Sequence, residues 1–315
     1  MAAGIGQTRR NTPSVVNSGF NRWFGRSGAT DSLWAASLRP LLDPLEMGNA
    51  ERHAVALVRA DTRLSCGYRA AFSTAPDGDE ESAFVNIGKA LAAFQQTLVS
   101  GRTPFDDFRD ALARNDRAAA SRYPEDARRG LRLFVGKGRC NVCHIGPRFT
   151  NDEFDKVGIP VRGADGVYDW GRYDGIKAVL ASRFNRRSRH NDDAAKANAV
   201  STDHVSLNVE AYGAFKVPGL RNVALTAPYM HDGSLASLRD VVRHYSEIDA
   251  VKLHIAASHP HAEPGEELPP RPAESVLRTL NLDDREIADL VAFLESLTAR
   301  RPLLRQLAAK VPGCP

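Results

Sequence analysis

Two cysteines and a histidine stand together at a spacing that suits chemistry with a metal cofactor. The stretch Cys140-Asn141-Val142-Cys143-His144 has the pattern Cys-x-x-Cys-His, in which one turn of chain separates the two thiols. That spacing lets each thiol form a thioether with one vinyl group of a c-type haem, while the adjacent imidazole becomes the proximal ligand of the iron. The pattern therefore predicts covalent haem c at Cys140 and Cys143, with His144 on the iron.

Other uses of paired cysteines fit the sequence less well. A structural zinc site needs four ligands in two spaced pairs, whereas the other two cysteines, Cys66 and Cys314, are isolated. A thioredoxin-like redox pair follows a strand in a βαβ unit, whereas the segment before Cys140 has helical periodicity. With two cysteines assigned to haem, Cys66 and Cys314 can pair only with each other, and the sequence leaves open whether they do.

The segment before the motif is predicted to be an amphipathic helix. It covers residues 124–136 and opens with Pro124, a residue favoured at the first helical position. Its apolar face consists of Ala127, Leu131, Phe134 and Val135. Gly130 lacks a side chain and would let a second helix cross closely.

That second helix is predicted near the C-terminus. Asp283 and Glu286 form a capping-box pattern. The apolar residues at helical spacing are Ile287, Leu290, Val291, Leu294 and Leu297. Two helices flanking the motif are typical of a cytochrome c fold.

The loop after the motif is expected to orient His144. Pro147 lies where a cytochrome c loop commonly presents a backbone carbonyl to the ligand's other ring nitrogen, which fixes the tautomer. An ordinary turn proline is the alternative interpretation.

Length, composition and charge bound the remaining possibilities. A chain of 315 residues suggests two domains, and 43% hydrophobic residues can fill two modest cores. No apolar run reaches about 18 residues, so no membrane span is expected. The net charge of +4 is small and gives no support for nucleic-acid binding. No strand pattern is long enough to suggest a sheet, so the chain is predicted to be all-α.

One strong amphipathic helix is predicted in the N-terminal third. Its apolar face consists of Phe84, Ile87, Leu91, Phe94 and Leu98, and Gly101 is positioned to end it. The region from Asp106 to Tyr123 is polar and Ala-rich. We therefore place a domain boundary near residue 118, between domains of residues 1–118 and 119–315.

Two polar segments are interpreted as loops. Residues 182–204 form the most basic stretch, which we interpret as a solvated loop, with docking of an acidic redox partner as the alternative. The segment from His254 to Pro272 is rich in His, Pro and Glu and is interpreted as another loop.

Three further stretches, elsewhere in the sequence, have recognisable patterns. They read Arg10-Asn11-Thr12-Pro13-Ser14-Val15, Pro44-Leu45-Glu46-Met47 and Leu220-Arg221-Asn222-Val223-Ala224-Leu225-Thr226-Ala227-Pro228-Tyr229. Together, over nearly the whole chain, they resemble the bacterial di-haem cytochrome c peroxidases and their MauG-like relatives. The resemblance implies a periplasmic enzyme of two helical cytochrome c-like domains. In that family an N-terminal haem reacts with hydrogen peroxide and a C-terminal haem supplies or stores electrons.

The resemblance assigns His144 to the C-terminal haem and points to Tyr245 as its second axial ligand. Ser237 and Asp240 form a capping box, and helical spacing from there turns Tyr245 inward. The family has a methionine at this place in the simple peroxidases and a tyrosine in the MauG-like enzymes. A core tyrosine is the alternative. Met230 is the rival ligand, with His244 a weaker one.

The resemblance also implies roles for four residues outside the haem motif. Glu46 matches the carboxylate over the peroxide-binding iron, a position suited to general acid–base work, with a solvated glutamate as the alternative. Asn11, Thr226 and Pro228 match an inter-domain calcium site, the last two through backbone carbonyls, although none of the three supplies a carboxylate.

The chain departs from the family pattern in two respects. It contains one haem motif and no signal peptide, so we expect the family's first motif to lie upstream of residue 1 and the N-terminal domain to be truncated or its start assigned too late. The second departure is Arg26, which stands where relatives usually carry a tryptophan between the haems. Trp23 and Trp34 are the nearby candidates to substitute for it, with core positions as the alternative.

Three functions are compatible with these features. The first is a di-haem peroxidase or MauG-like oxidoreductase that uses hydrogen peroxide with a redox partner protein or on a protein substrate, and Tyr245 favours the latter. The second is a mono-haem electron-transfer protein, and the third is an inactive remnant. We expect near-background peroxidase activity from the 315-residue chain alone, because the haem that Glu46 would serve has no motif here and the His144 haem would be six-coordinate.

Overall fold

The computed structural model describes residues 5–48, 50–159, 168–248, 277–300 and 314, and these residues are mainly helical. The helices are α1 (Leu33–Leu42), α2 (Glu51–Ala60), α3 (Thr62–Phe72), α4 (Glu80–Gln96), α5 (Pro104–Ala113), α6 (Arg117–Ser121), α7 (Glu125–Val135), α8 (Arg172–Ala181), α9 (Val200–His204), α10 (Leu238–Glu247) and α11 (Asp284–Glu295). Strands β1 (Phe154–Asp155) and β2 (Phe215–Lys216) form one antiparallel pair. The predicted all-α class is confirmed, because this short ladder is the whole sheet content of the described chain.

The chain divides into two compact units. The first consists of Met1–Val99, Ile176–Ser206 and Leu303–Pro315, and the second of Ser100–Gly175 and Leu207–Pro302. These units differ from the predicted domains of residues 1–118 and 119–315. Residues 100–118 belong to the second unit because Phe105 packs edge-on against Phe149 and Phe293, with ring centroids 5.5 and 5.7 Å apart.

The core of the first unit lies where α1 crosses α4. Gly88 makes the close approach possible, since a Cβ there would lie 2.7 Å from the side chain of Leu38 and 2.9 Å from the Trp34 carbonyl. The buried face of α4 contains Phe84, Val85 and Ala92. The predicted face of this helix was therefore wrong in part, because Leu91 and Phe94 are 38% and 49% exposed.

Residues 182–204 are a largely irregular part of the first unit in which Arg187 and Arg189 are exposed, as a solvated loop requires, although a few residues anchor the segment. Phe184 and His190 are buried. The Asp31 carboxylate accepts hydrogen bonds from the Arg186 backbone N–H at 2.8 Å and from the Thr202 hydroxyl at 2.7 Å. These partners lie far away in the sequence, and they anchor the segment while Arg187 and Arg189 stay exposed.

The second unit is organised around the crossing of α7 and α11. A Cβ on Gly130 would lie 1.9 Å from the backbone oxygen of Asp289, which confirms the predicted close crossing. The capping box of Asp283 and Glu286 is confirmed at the start of α11. The α7 helix begins at Glu125 with Pro124 as its N-cap. The core around this crossing consists of Phe134, Phe149, Tyr229, Leu238, Val242, Ile287, Leu290, Phe293, Leu294 and Leu297.

Two observations bear on where the chain resides. A disulfide joins Cys66 of α3 to Cys314, which settles the pairing that the sequence left open. Within the described ranges, no helix is long and apolar enough to cross a membrane.

The predicted loop from His254 to Pro272 lies outside the described residues.

Candidate functional site

The Cys-x-x-Cys-His motif forms a tight turn directly after α7. Arg139 adopts a left-handed conformation with φ of 52°, and a single 3₁₀ turn covers Cys140–Val142. The His144 backbone N–H donates to the Cys140 carbonyl at 2.9 Å, and the Asn151 N–H donates to the Cys143 carbonyl at 2.8 Å. The backbone of the motif is therefore held by its own hydrogen bonds, close to the α7–α11 crossing.

Both motif thiols are free and half-buried. Burial raises the pKa of Cys140 to about 11, and burial together with the neighbouring Asp155 carboxylate raises that of Cys143 to about 11. The Cys143 thiol donates to Asp155 Oδ2 at 3.6 Å. Asp155 lies on β1 opposite Phe215 of β2, so the two-stranded ladder positions this carboxylate beside the motif.

His144 is oriented by the loop that follows it. Its Nδ1 donates to the Phe149 carbonyl at 2.9 Å, and burial lowers the pKa of the imidazole despite hydrogen bonds to the Phe149 and Pro218 carbonyls. The expectation that Pro147 supplies this carbonyl was wrong. The Pro147 carbonyl instead accepts from Arg221 Nε at 2.5 Å, because the loop turns two residues further before it meets the ring.

Tyr245 lies on α10, which starts with the predicted capping box of Ser237 and Asp240. Burial raises the pKa of its phenol strongly, and the nearby Cys140, Cys143 and Asp155 groups add to the rise. The structure therefore places the Tyr245 phenol close enough to both motif thiols for them to affect its pKa.

The two rival ligands have different surroundings. Met230 is half-buried and packs against the core of the second unit, as does Cys140. His244 donates from Nε2 to the Val157 carbonyl at 2.7 Å, which engages its imidazole outside the motif.

The donor set around the motif fits haem c. It offers two free thiols for thioethers, one imidazole whose Nδ1 is already engaged, and a phenol oxygen that can act as a hard anionic donor. In the described part of the chain, no three His, Cys, Asp or Glu side chains converge as a metal cluster would require, so the zinc alternative has no support.

Glu46 lies in the first unit, in the turn after α1. Its side chain is half-buried, and its backbone carbonyl accepts from the Ile5 N–H at 2.9 Å. Burial raises the pKa of its carboxyl, and neighbouring Asp43 adds to the rise while Arg39 opposes it.

The candidate calcium ligands divide between the units, with Asn11 in the first and Thr226 and Pro228 in the second. Arg26 donates from Nε to the Asn11 carbonyl at 3.2 Å. That guanidinium places a positive charge beside Asn11, which disfavours a second cation there. The calcium assignment stays a prediction.

The tryptophans near Arg26 have separate surroundings. Trp23 is 6% exposed in the first unit. Trp34 meets Phe184 edge-on at 6.5 Å and packs against the α1–α4 core. Both are packed as the core interpretation expects, and a role in place of the usual tryptophan stays a prediction.

Sequence reasoning missed three residues that shape the site. Asp155 and Phe149 contact the motif through a carboxylate and a backbone carbonyl, and no local pattern marks either of them. Arg221 was part of a recognised stretch but had no assigned role. Its guanidinium donates to both carboxylate oxygens of buried Asp106, at 2.9 and 2.8 Å. It also donates to the Pro147 carbonyl, so Arg221 anchors the loop that follows His144.

Comparison with known proteins identifies the family. Residues 1–114 match the family described as di-haem cytochrome c peroxidase. The chain is 32% identical to the methylamine utilization protein MauG of Methylorubrum extorquens over 92% of this chain and 65% of that protein. It is 31% identical to the MauG protein of Paracoccus denitrificans over 91% of this chain and 70% of that protein. It is 30% identical to the cytochrome-c peroxidase IdrP1 of Denitromonas iodatirespirans, over 96% of this chain and 72% of that protein.

Solved structures give the same fold. A MauG-like protein associated with microbial copper homeostasis is similar with a TM-score of 0.63 and 26% identity, over 95% of this chain and 79% of that one. The diheme peroxidase BthA from Burkholderia thailandensis is similar in fold, with a TM-score of 0.65 and 23% identity over 96% of this chain and 76% of that one. The chain belongs to the di-haem cytochrome c peroxidase and MauG-like family of haem c oxidoreductases. The chain spans between 65% and 72% of the length of the two MauG proteins and the peroxidase IdrP1 named above.

Proposed function

We propose that this protein is a MauG-like oxidoreductase that uses hydrogen peroxide and passes oxidising equivalents to a protein substrate or redox partner. In this proposal one haem c is bound to Cys140 and Cys143, with His144 and Tyr245 as its axial ligands. The observation that carries the proposal is the position of half-buried Tyr245 on α10, a helix whose Leu238 and Val242 belong to the core against which Cys140 packs. An oxygen donor at this place favours ferric and higher oxidation states more than a thioether does.

The chain's own residues bind and orient the cofactor. Cys140 and Cys143 would hold the haem through thioethers, each sulfur bonding to one vinyl carbon while the thiol hydrogen passes to the other. The Phe149 carbonyl holds the proton on Nδ1 of His144, so the lone pair of the second ring nitrogen would be the one that binds the iron. The Tyr245 phenol gives up its proton when its oxygen binds, because a bound cation reverses the effect of burial on ionisation. Haem supplies the redox chemistry at peroxide when it is bound.

Glu46 supplies acid–base chemistry in this proposal. Its raised pKa keeps the carboxyl closer to the protonated form than an exposed glutamate, which suits proton transfer between peroxide oxygens. The single haem motif of the chain belongs to the second unit, so Glu46 is proposed to serve the other haem of the family.

The compartment is proposed to be the periplasm. Disulfides persist in oxidising compartments and are rare in the cytosol of mesophiles, and the bond between Cys66 and Cys314 supports such a location. Covalent haem attachment also requires export.

The test is peroxide consumption by the protein carrying both family haems, with haem counted per chain. We expect Glu46→Gln to lower turnover by about 10²-fold or more, because it removes the proton carrier but keeps the shape. Glu80→Gln is the matched control, because Glu80 is exposed in the first turn of α4. Equal turnover in the Glu46 and Glu80 variants would contradict the role of Glu46.

A mono-haem electron-transfer role is the second candidate. The observation that favours it is the presence of one Cys-x-x-Cys-His motif in 315 residues. One haem per chain in the exported protein, with a reversible redox couple and no peroxide turnover, would favour this candidate.

A further inference from the structure

Four oxidisable aromatic side chains form a continuous series in the second unit. The rings of Tyr168 and Trp170 are stacked, with centroids 4.9 Å apart and planes 5° apart. Trp170 meets Tyr212 edge-on at 5.4 Å. Tyr212 in turn stacks on Tyr173 at 4.1 Å with 17° between the planes. Each ring therefore contacts the next, which is the arrangement that electron exchange between side chains requires.

The backbone holds this series in place. Gly171 pairs with both Tyr212 and Ala214 through isolated bridges. The Gly213 N–H donates to the Trp170 carbonyl at 3.1 Å. A Cβ on Gly171 would lie 2.4 Å from the Ala214 oxygen, and its φ of 58° favours glycine, so the two chain segments meet as closely as they can.

The series is joined to the haem motif by a short path. Ala214 accepts the Arg172 backbone N–H at 2.7 Å and directly precedes Phe215 of β2. Phe215 pairs with Asp155 of β1, and the Asp155 carboxylate accepts from the Cys143 thiol. All of these residues belong to the second unit.

The four rings also differ from most other tyrosines and tryptophans in their access to solvent. The chain has seven tyrosines and three tryptophans. Tyr68, Tyr123, Tyr229 and Trp23 are buried, whereas all four members of the series are half-buried. The series therefore reaches from the ladder beside the motif to the surface.

We propose that Tyr168, Trp170, Tyr212 and Tyr173 form a relay that takes up one-electron oxidising equivalents from the haem site and holds them at the surface of the second unit. The inference rests on the proposed function, in which peroxide oxidises the haem centre. One electron leaves a ring of the series and lowers the oxidation state of the haem centre by one. When the ring is a tyrosine, its phenolic proton leaves to water, which the half-buried position allows. Stacking spreads the electron deficiency over neighbouring rings and favours the oxidised state there.

The first experiment generates the radical with peroxide. Protein carrying both family haems is mixed with hydrogen peroxide, frozen rapidly and examined by electron paramagnetic resonance, and oxidised residues are mapped by mass spectrometry. We expect a protein radical and oxidation products at Trp170 and Tyr212. Trp170→Phe and Tyr212→Phe keep an aromatic ring but remove the oxidisable group, and each should lower the radical yield several-fold. Tyr68→Phe, in the other unit, should leave it unchanged.

The second experiment replaces peroxide with light. A ruthenium polypyridyl photosensitiser and an electron-accepting quencher oxidise the same protein without any reaction at peroxide. We again expect the radical to settle on the series and to be lost in the Trp170 and Tyr212 variants.

The two experiments separate failure of the relay from failure of the proposed function. If peroxide is consumed and both variants keep the wild-type radical yield, the relay is overturned while the peroxide reaction stands. If peroxide is not consumed, the proposed function fails, and the light experiment then tests the relay by itself. An undiminished radical signal in both variants under light would overturn the relay.

Discussion

At the scale of single residues, the site depends on which oxygen or sulfur stands opposite His144. Tyr245 is favoured because its phenol lies close enough to both motif thiols and to Asp155 for these groups to raise its pKa. Met230 shares the core environment of Cys140. The two ligands would give the iron different preferences, since an anionic oxygen favours the ferric state and a thioether favours the ferrous state.

Tyr245→Phe is expected to change the ferric absorption spectrum and to raise the reduction potential of the haem, because it removes an anionic donor. The measurement is a spectroelectrochemical titration of haem-loaded protein. Met230→Leu is the matched control and should leave both properties unchanged. The opposite pattern, with a silent Tyr245→Phe and an altered Met230→Leu, would assign the ligand to Met230.

Arg221 links a buried carboxylate to the loop that orients His144. The side chains of Arg221 and Asp106 are 13% and 7% exposed, and two hydrogen bonds join them. Burial opposes ionisation of Asp106, but hydrogen bonds from Arg221 and Thr103 outweigh it and hold the pKa well below its usual value. Because the folded-state pKa is depressed, this stabilisation is complete above the unfolded value of about 3.9 and is lost as the pH falls toward the folded-state pKa.

Arg221→Met is therefore expected to lower the free energy of unfolding at neutral pH by up to about 3–5 kcal/mol, because it removes the two direct hydrogen bonds of a buried carboxylate and leaves it with Thr103 and the more distant Arg109. The difference from wild type should shrink below about pH 4, where Asp106 of the variant takes up a proton. Urea unfolding at several pH values measures both effects. Arg102→Met breaks only exposed ion pairs on α5 and should change stability little. A constant difference down to acid pH would show that Asp106 is not the group responsible.

At the scale of elements, the α7–α11 crossing sets the position of the haem motif. The motif turn follows α7 directly, and α11 is in contact with α7 at Gly130. Any change that separates these two helices also displaces the turn that carries the thiols.

Gly130→Ala is expected to destabilise the protein by about 1–3 kcal/mol or more, because the new Cβ would lie 1.9 Å from a backbone oxygen of α11 and the helices would have to move apart. Gly78→Ala is the control, since a Cβ at Gly78 meets nothing within 4 Å. Thermal unfolding of both variants provides the comparison, and equal stability would place the close contact elsewhere.

Local patterns predicted some elements well and others poorly, for physical reasons that differ. The capping boxes at Ser237 and Asp283 were predicted because each depends on neighbours within one turn. The crossing at Gly130 was predicted because a glycine one turn from Phe134 leaves room for a second helix on the apolar face. The buried face of α4 was predicted in part only, because its contact with α1 is made through Gly88 and Ala92, which hydrophobic periodicity does not detect. The role of the Phe149 carbonyl also escaped prediction, because backbone groups leave no trace in residue identity.

At the scale of the whole molecule, the sequence predicted two domains but not their composition. Residues 176–206 belong to the first unit although they follow the motif in the chain. Their anchors, such as Asp31 for Arg186 and Thr202, become visible only after folding. Polar segments with distant partners resemble surface loops in sequence, so the exposure of residues 182–204 could be predicted but their buried anchors could not.

The disulfide between Cys66 and Cys314 closes a loop of most of the chain, since the two positions are separated by 248 in the sequence. Replacing both cysteines with serine is expected to lower the free energy of unfolding by about 2–4 kcal/mol, because the unfolded chain gains freedom. Denaturant unfolding of oxidised wild type and of the variant measures this. Peptide mapping without reductant is the companion check, and free thiols at both positions in exported protein would contradict the pairing.

The central claim is that this chain binds one haem through Cys140 and Cys143. Its most direct test is mass spectrometry of the intact chain, and then of its proteolytic peptides, after export in a cell that contains the haem attachment machinery. We predict an increase equal to one haem, located on the peptide that contains Cys140 to His144 and abolished by Cys140→Ser together with Cys143→Ser. An unmodified chain, or haem located on any other peptide, would contradict the account.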